Sequence, residues 1–250
     1  MPKPLDGKIA LVTGSGKNIG RAIALKLARD GAAIVVNGRG DRAALDGVVA
    51  EIEAEGGRAI AAIADVSDPQ AVARMIDDAA ARLCGIDILV SNAGLRRQTP
   101  FLDMELAEWR EILSVALDGA FILARAAVPH MIRRGGGAIV ALSGISTHIG
   151  TPNRCHVSAS KAGLEGLMRA LAIELAPHGI TANSVAPGSV DTVRGAAAGI
   201  RPATLGDSAI PLRRKASVDD IAAMVRHLAG PEGAYITGQT LHVNGGLYLT

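Results

Sequence analysis

The stretch Ile9-Ala10-Leu11-Val12-Thr13-Gly14-Ser15-Gly16-Lys17-Asn18-Ile19-Gly20-Arg21-Ala22-Ile23-Ala24 decides the fold. An aliphatic run is followed at once by a glycine-rich turn and then by an Ala/Ile/Leu segment of helical period, which reads strand, turn, helix. Glycine lets such a turn tighten and lets its backbone approach a ligand, and free N–H groups at the start of the helix stabilise a pyrophosphate there. In a chain with 30 glycines the same triplet also reads as an ordinary βα turn; its place at the head of a βαβ unit favours a dinucleotide. Gly14, Ser15, Lys17, Asn18, Ile19 and Gly20 are the candidate phosphate-binding residues.

The alternation continues outward. Strands are expected at Ile9 to Thr13, Ala33 to Asn37, Ala59 to Ala64, Ile88 to Ser91, Ala138 to Leu142, Thr181 to Ala186 and Thr240 to Val243. Most are uninterrupted apolar runs, as strands buried on both faces should be. Helices are expected at Gly20 to Asp30, Arg42 to Glu55, Pro69 to Leu83, Leu106 to Arg133, Val157 to Leu175 and Val218 to Leu228. Ser67-Asp68-Pro69 places a cap before a proline at the first helical position, and Ser217 with Asp220 makes a capping box. No linker or repeat divides the chain. The expectation is one α/β domain over 1–250, a Rossmann-type doubly wound parallel sheet of about seven strands with helices on both faces. A Gly/Pro-interrupted insertion at about 188–211 should cover the sheet's carboxyl edge.

Composition narrows the function. Lys+Arg 26 against Asp+Glu 24 gives a net charge of +2 with no basic stripe, which removes the physical warrant for nucleic-acid binding. Cys84 and Cys155 have no metal-ligand spacing, so no metal site is expected. The N-terminal apolar run is too short for a secretory segment, and charges interrupt every stretch approaching the roughly 20 apolar residues of a membrane span. These features predict a cytoplasmic protein without a membrane partner. The second strand ends Val35-Val36-Asn37-Gly38-Arg39, lacking the acidic residue that would bond a free ribose 2′-hydroxyl. Arg39 and Lys17 suit a 2′-phosphate instead, so NADP(H) is favoured over NAD(H).

With Asp65-Val66 after the third strand, Asn92-Ala93-Gly94 after the fourth, Pro187-Gly188 with Thr192 after the sixth, and Gly238-Gln239 leading to Val243-Asn244-Gly245-Gly246, the chain resembles a short-chain dehydrogenase/reductase of the 3-oxoacyl-thioester reductase type. The resemblance covers essentially the whole chain. It implies a nicotinamide cofactor along the carboxyl edge of the sheet, a small-molecule carbonyl or alcohol substrate, and a homotetramer. It further implies that Asp65 meets adenine, that Asn92 to Gly94 wall the cofactor, and that Pro187, Gly188, Val190 and Thr192 approach the nicotinamide. Read without the family, Asp65 is a turn acceptor and Pro187-Gly188 a chain reversal. The family normally has glycine where Asn18 stands; asparagine tolerates the same positive φ.

The catalytic positions depart from the family. Its tyrosine exchanges the proton, a lysine one turn later lowers that tyrosine's pKa, a serine binds the carbonyl oxygen and an asparagine holds a relay water. The lysine is present as Lys161, but the tyrosine position holds Val157, the serine position Gly144 with Ser143 and Ser146 close by, and the asparagine position Ala116. Of only two tyrosines, Tyr235 and Tyr248, neither is near. Replacement donors are His156, which needs a frayed first helical turn to reach the site, His148, and Lys161 itself. As structural side chains, the histidines read as surface or capping groups. Ser143 is the candidate oxyanion donor, and Arg96, Arg97 and Arg154 are either binding groups for an anionic substrate or solvated charges. Two functions remain: an oxidoreductase with a non-standard proton donor, or a catalytically inert nucleotide-binding member acting as regulator or subunit partner.

Overall fold

The computed structural model describes residues 3–193 and 209–250. Seven strands, β1 (Ile9–Val12), β2 (Ala33–Gly38), β3 (Ala59–Ile63), β4 (Ile88–Ser91), β5 (Gly137–Leu142), β6 (Ile180–Pro187) and β7 (Thr240–Val243), form one sheet in the order β3-β2-β1-β4-β5-β6-β7. Every neighbouring pair is parallel. The strand order reverses beside β1, so the switch-point crevice of a doubly wound sheet opens between the carboxyl ends of β1 and β4.

Strand alternation sorts the core into two layers. Ala10, Val12, Ile34, Val36, Val90, Val140 and Leu142 pack against α1 (Asn18–Arg29), α2 (Arg42–Ala54) and α8 (Val218–Ala229). Leu11, Val35, Leu89, Ile139 and Ala141 face the opposite way, onto α3 (Pro69–Leu83), α5 (Gly119–Arg133) and α7 (Cys155–Leu175). Helix starts follow their signals: Asp68 accepts from the N–H groups of Gln70 and Ala71 ahead of α3, and Ser217 with Asp220 closes a full capping box on α8.

Two elements differ from expectation. The single helix expected over Leu106 to Arg133 is α4 (Leu106–Leu113), a π turn at Ser114–Asp118, and α5. This is the one helical stretch among the described residues long and apolar enough to cross a membrane by length and composition. Its buried side chains, Ile112, Ala116, Ala120, Leu123, Ala127 and Met131, recur at helical period and several sit in the α3/α5/α7 layer, as in an amphipathic helix laid on a sheet. A short α6 (Ser146–Ile149) fills the connection after β5. Of the insertion expected at about 188–211, residues 194–208 lie outside those described.

Candidate active site

The phosphate turn is built by contacts that only glycine permits. A Cβ on Gly20 would lie 2.3 Å from the Gly14 carbonyl oxygen and 2.6 Å from Asn92 Nδ2, and Gly14 itself takes φ 62° against the Ala93 backbone. Thr13, which sequence reasoning did not single out, joins this turn to the next strand. Its buried hydroxyl accepts from the N–H groups of Asn92 (3.0 Å) and Ala93 (3.1 Å), while Asn92 Nδ2 donates to the carbonyls of Thr13 and Gly14. A hydroxyl directly before a strand-end glycine was the available signal.

Ser15 requires correction. Its N–H donates to the Asn37 carbonyl, and its hydroxyl donates to the Val12 carbonyl (2.7 Å) and accepts the Asn37 N–H (3.0 Å). Both donors are consumed inside the protein, so Ser15 shapes the turn and offers nothing to a phosphate. Lys17 is exposed at the N-cap of α1, Ile19 is buried in the core, and Asn18 opens the helix at φ 51°. At the end of β2, Asn37 Nδ2 donates inward to the carbonyls of Ala62 and Ala64, leaving Arg39 as the solvent-facing cation, 3.9 Å from Asp65. Asp65 Oδ1 accepts from the Ser67 N–H (2.9 Å) and hydroxyl (2.7 Å). Burial pushes the Asp65 carboxyl up, but the Ser67 bonds and the Arg39 charge outweigh it and hold the group below its ordinary value. Val66 is buried and pressed against Gly119, at the start of α5.

Lys161 lies where the sequence puts it, on α7, and its ammonium donates to the Leu142 carbonyl at the end of β5 (2.5 Å). A Cβ on Gly94 would come within 3.6 Å of that ammonium, so Lys161 stands between β5 and the Asn92 to Gly94 wall. Burial, reinforced by the nearby Arg96 charge, brings its pKa down to about 8. Val157, one turn earlier, is 6% exposed. Ser143 extends the β5 ladder through its N–H to Val185, and its buried hydroxyl has no hydrogen-bond partner among the described residues. Ala116 is buried at the centre of the π turn, so the position at which the resemblance expects asparagine carries no polar side chain.

His156 is the second correction. It is 0% exposed inside the regular first turn of α7, with Nε2 3.0 Å from Glu108 on α4, whose same oxygen accepts from the Thr99 hydroxyl (2.6 Å). The helix does not fray there, and the imidazole joins two helices instead of reaching a substrate. Arg97 is bound through both terminal nitrogens to Glu111, and Arg154 stands at the N-cap position of α7 without a side-chain capping bond. His148 meets Glu165, 5% exposed on α7, at 3.1 Å, and its ring lies against His242 and Tyr248 at 4.5 and 5.0 Å between centroids. That contact faces β7 and the chain end. Beyond β6, Gly188 donates its N–H to Val243 and packs so closely on Asn244 that a Cβ would approach it to 2.7 Å, while Val190 bridges to Ala216. Among the described residues no cluster of three His, Cys, Asp or Glu side chains has the arrangement of a metal site.

The residues fit a dinucleotide. A turn with no room for a side chain at Gly20, a helix N-terminus, exposed Lys17 and Arg39, and a desolvated lysine at the carboxyl edge form a matching donor set. Residues 14–248 match the enoyl-(acyl carrier protein) reductase family model. The 3-oxoacyl-(acyl-carrier-protein) reductase FabG of Staphylococcus aureus strain Mu50 is 40% identical over 244 residues, covering 97% of this chain and 98% of that one. The L-rhamnose 1-dehydrogenase (NAD(P)(+)) of Sphingomonas sp. strain SKA58 is 39% identical over 250 residues, covering 99% and 98%. A short chain dehydrogenase from Burkholderia cenocepacia J2315, solved in complex with NADP, superposes with a TM-score of 0.89 at 38% identity, covering 98% and 99% of the two chains. On fold, motif order and likeness over its whole length, the chain belongs to the short-chain dehydrogenase/reductase family of oxidoreductases.

Proposed function

We propose that the protein is an NADP(H)-dependent oxidoreductase that interconverts a carbonyl and an alcohol with Lys161 as the proton donor and acceptor. The observation carrying this reading is the Lys161 ammonium, held at the carboxyl edge by the Leu142 carbonyl with its pKa lowered to about 8. An acid of that strength is poised near working pH, where an ordinary lysine would hold its proton too firmly. Gly14, Gly20 and the first turn of α1 would receive the pyrophosphate, Lys17 and Arg39 the 2′-phosphate, and the Asn92 to Gly94 wall with Pro187, Gly188, Val190 and Thr192 the nicotinamide half. The bound nicotinamide supplies or accepts the hydride. Ser143 donates its unpartnered hydroxyl to the carbonyl oxygen of the substrate, and Lys161 delivers the proton to that oxygen in reduction or removes it in oxidation.

The preference for the phosphorylated cofactor is supported by Arg39 and by the absence of an acidic side chain at the end of β2. The exposed apolar side chains Leu102, Leu106 and Phe121, and the edge strand β7, support self-association, for which the family resemblance suggests a homotetramer. The buried Val157 favours the second reading, a nucleotide-binding member without turnover, because an aliphatic side chain cannot exchange a proton.

Turnover separates the two. NADPH oxidation is to be followed spectrophotometrically against ketones, quinones and 3-oxoacyl thioesters, for the natural protein and for Val157→Tyr. The oxidoreductase reading expects measurable turnover that is lost in Lys161→Met and raised at least tenfold by Val157→Tyr. NADPH binding with no turnover on any class establishes the inert reading, and failure to bind either nucleotide overturns both.

A further inference from the structure

One side chain ties the phosphate turn to the segment after β6. Asn18 donates from Nδ2 to the Val193 carbonyl at 2.9 Å and accepts the Val193 N–H on Oδ1 at 3.0 Å. A carboxamide carries a donor and an acceptor side by side, so it pairs with this peptide group much as an adjacent strand would. The glycine usual at this position in the family has no such group. The backbone leading to Val193 is anchored on its own side of the sheet: the Ala216 N–H donates to the Ser189 carbonyl (2.9 Å) and the Asp191 N–H to the Ala216 carbonyl (2.8 Å), two residues before Val193.

The placement of these two bonds is what gives them a function. β1, whose turn carries Asn18, and β6, whose continuation carries Val193, are separated in the sheet by β4 and β5. The Asn18–Val193 pair therefore spans the carboxyl ends of those strands and crosses the crevice between β1 and β4, where a ligand of a doubly wound sheet lies. Neither polar atom of the carboxamide is left to bind a phosphate, because both are used by Val193.

We propose that Asn18 and Val193 form a clasp over the nucleotide crevice, with Asn18 a positioning residue that retains bound NADP(H) and must release Val193 for nucleotide exchange. This rests on the nucleotide-binding reading above. Both bonds are exposed to solvent, so the clasp opens readily and sets exchange rates more than affinity.

The test is Asn18→Gly. Glycine adopts the positive φ of this position without strain, so the variant keeps the turn and removes only the clasp. Stopped-flow NADPH fluorescence is expected to show faster association and faster dissociation, the latter by about tenfold, equivalent to about 1.4 kcal/mol in the release barrier. Adenosine 2′,5′-bisphosphate, which lacks the nicotinamide half, is expected to bind both proteins alike. Unchanged NADPH rates overturn the clasp. So does tighter NADPH binding through slower release alone, which would mean that Asn18 only crowds the turn. A natural protein that binds no NADPH overturns the nucleotide reading and the clasp with it, whereas binding with identical rates in the variant overturns the clasp alone.

Discussion

Ser143 and Lys161 are polar groups whose surroundings give them less than they need. The Ser143 hydroxyl is buried without a hydrogen-bond partner among the described residues, a standing cost in the folded protein. Ser143→Ala should therefore leave the melting temperature unchanged or slightly higher while lowering kcat by about 100-fold; a large loss of stability would show instead that the hydroxyl is internally satisfied. Lys161 makes a second, independent prediction. Its folded-state pKa of about 8 lies below the 10.5 of an unperturbed lysine. Below pH 8 both folded and unfolded states carry the proton, and the folded state bears the full cost of a desolvated charge. Between pH 8 and 10.5 the unfolded chain binds more protons, so stability rises with pH. Lys161→Met should accordingly melt above the natural protein at pH 7, with the difference shrinking between pH 8 and 10.5; a pH-independent difference would contradict the desolvated ammonium. As a proton donor, the same group predicts reduction rates that fall as pH rises through about 8. At this scale the sequence was informative about identity and weak about direction. The family resemblance located Lys161, Val157, Gly144 and Ala116, but the inward turn of Ser15 depends on its meeting the β2 backbone at Asn37, a contact made only by folding.

Among the elements, the connection of α4 to α7 was the least legible. Helical period runs unbroken from Leu106 to Arg133, so nothing local marks the π turn at Ser114–Asp118. The four residues of α6 are likewise too few to carry a period; they are held by the Thr147 hydroxyl on the Gly144 carbonyl three residues back and by a tertiary bond of the His148 ring to Glu165. His156 belongs to the same class, since its role depends on Glu108 arriving from another helix. Thr99, His156 and Arg97 together hold the Glu108 carboxyl below its ordinary range, with the Thr99 hydrogen bond foremost. His156→Ala removes a fully buried side chain and its hydrogen bond, and should cost about 2 kcal/mol in denaturant unfolding with kcat retained. Loss of activity in a protein that remains folded would return His156 to the chemistry. By contrast, α3 and α8 began where Asp68 and Ser217 said they would, because caps are satisfied within a few residues of themselves.

For the molecule as a whole, seven apolar runs between helical segments were enough to predict the sheet, since a parallel strand buried on both faces needs no polar alternation. What they could not reveal was the ionic knot at its amino edge. Asp87, 1% exposed, accepts the Ile9 N–H at 2.9 Å and pairs with Arg134 at 3.1 Å and Lys8 at 3.4 Å, joining the starts of β1 and β4 to the end of α5. Asp87→Ala would leave Arg134 and Lys8 unneutralised, although both reach solvent, and should cost about 3 kcal/mol without changing nucleotide affinity. A loss below 0.5 kcal/mol would show that the knot holds nothing together.

The parallel order of the strands also governs when the protein can be assembled. Leu11 of β1 lies between Val35 of β2 and Leu89 of β4, so the central strand gains its second neighbour only after two complete strand–helix units have intervened. During synthesis the chain through β3 has a sheet whose β1 edge is still unpaired, and that edge is the one the crevice will later use. Loop closure of this length precedes any gain from pairing, so formation of the β1–β4 ladder is expected to be late and slow. The cleft that suits a nucleotide is thus also a seam that the growing sheet leaves open until β4 has been made.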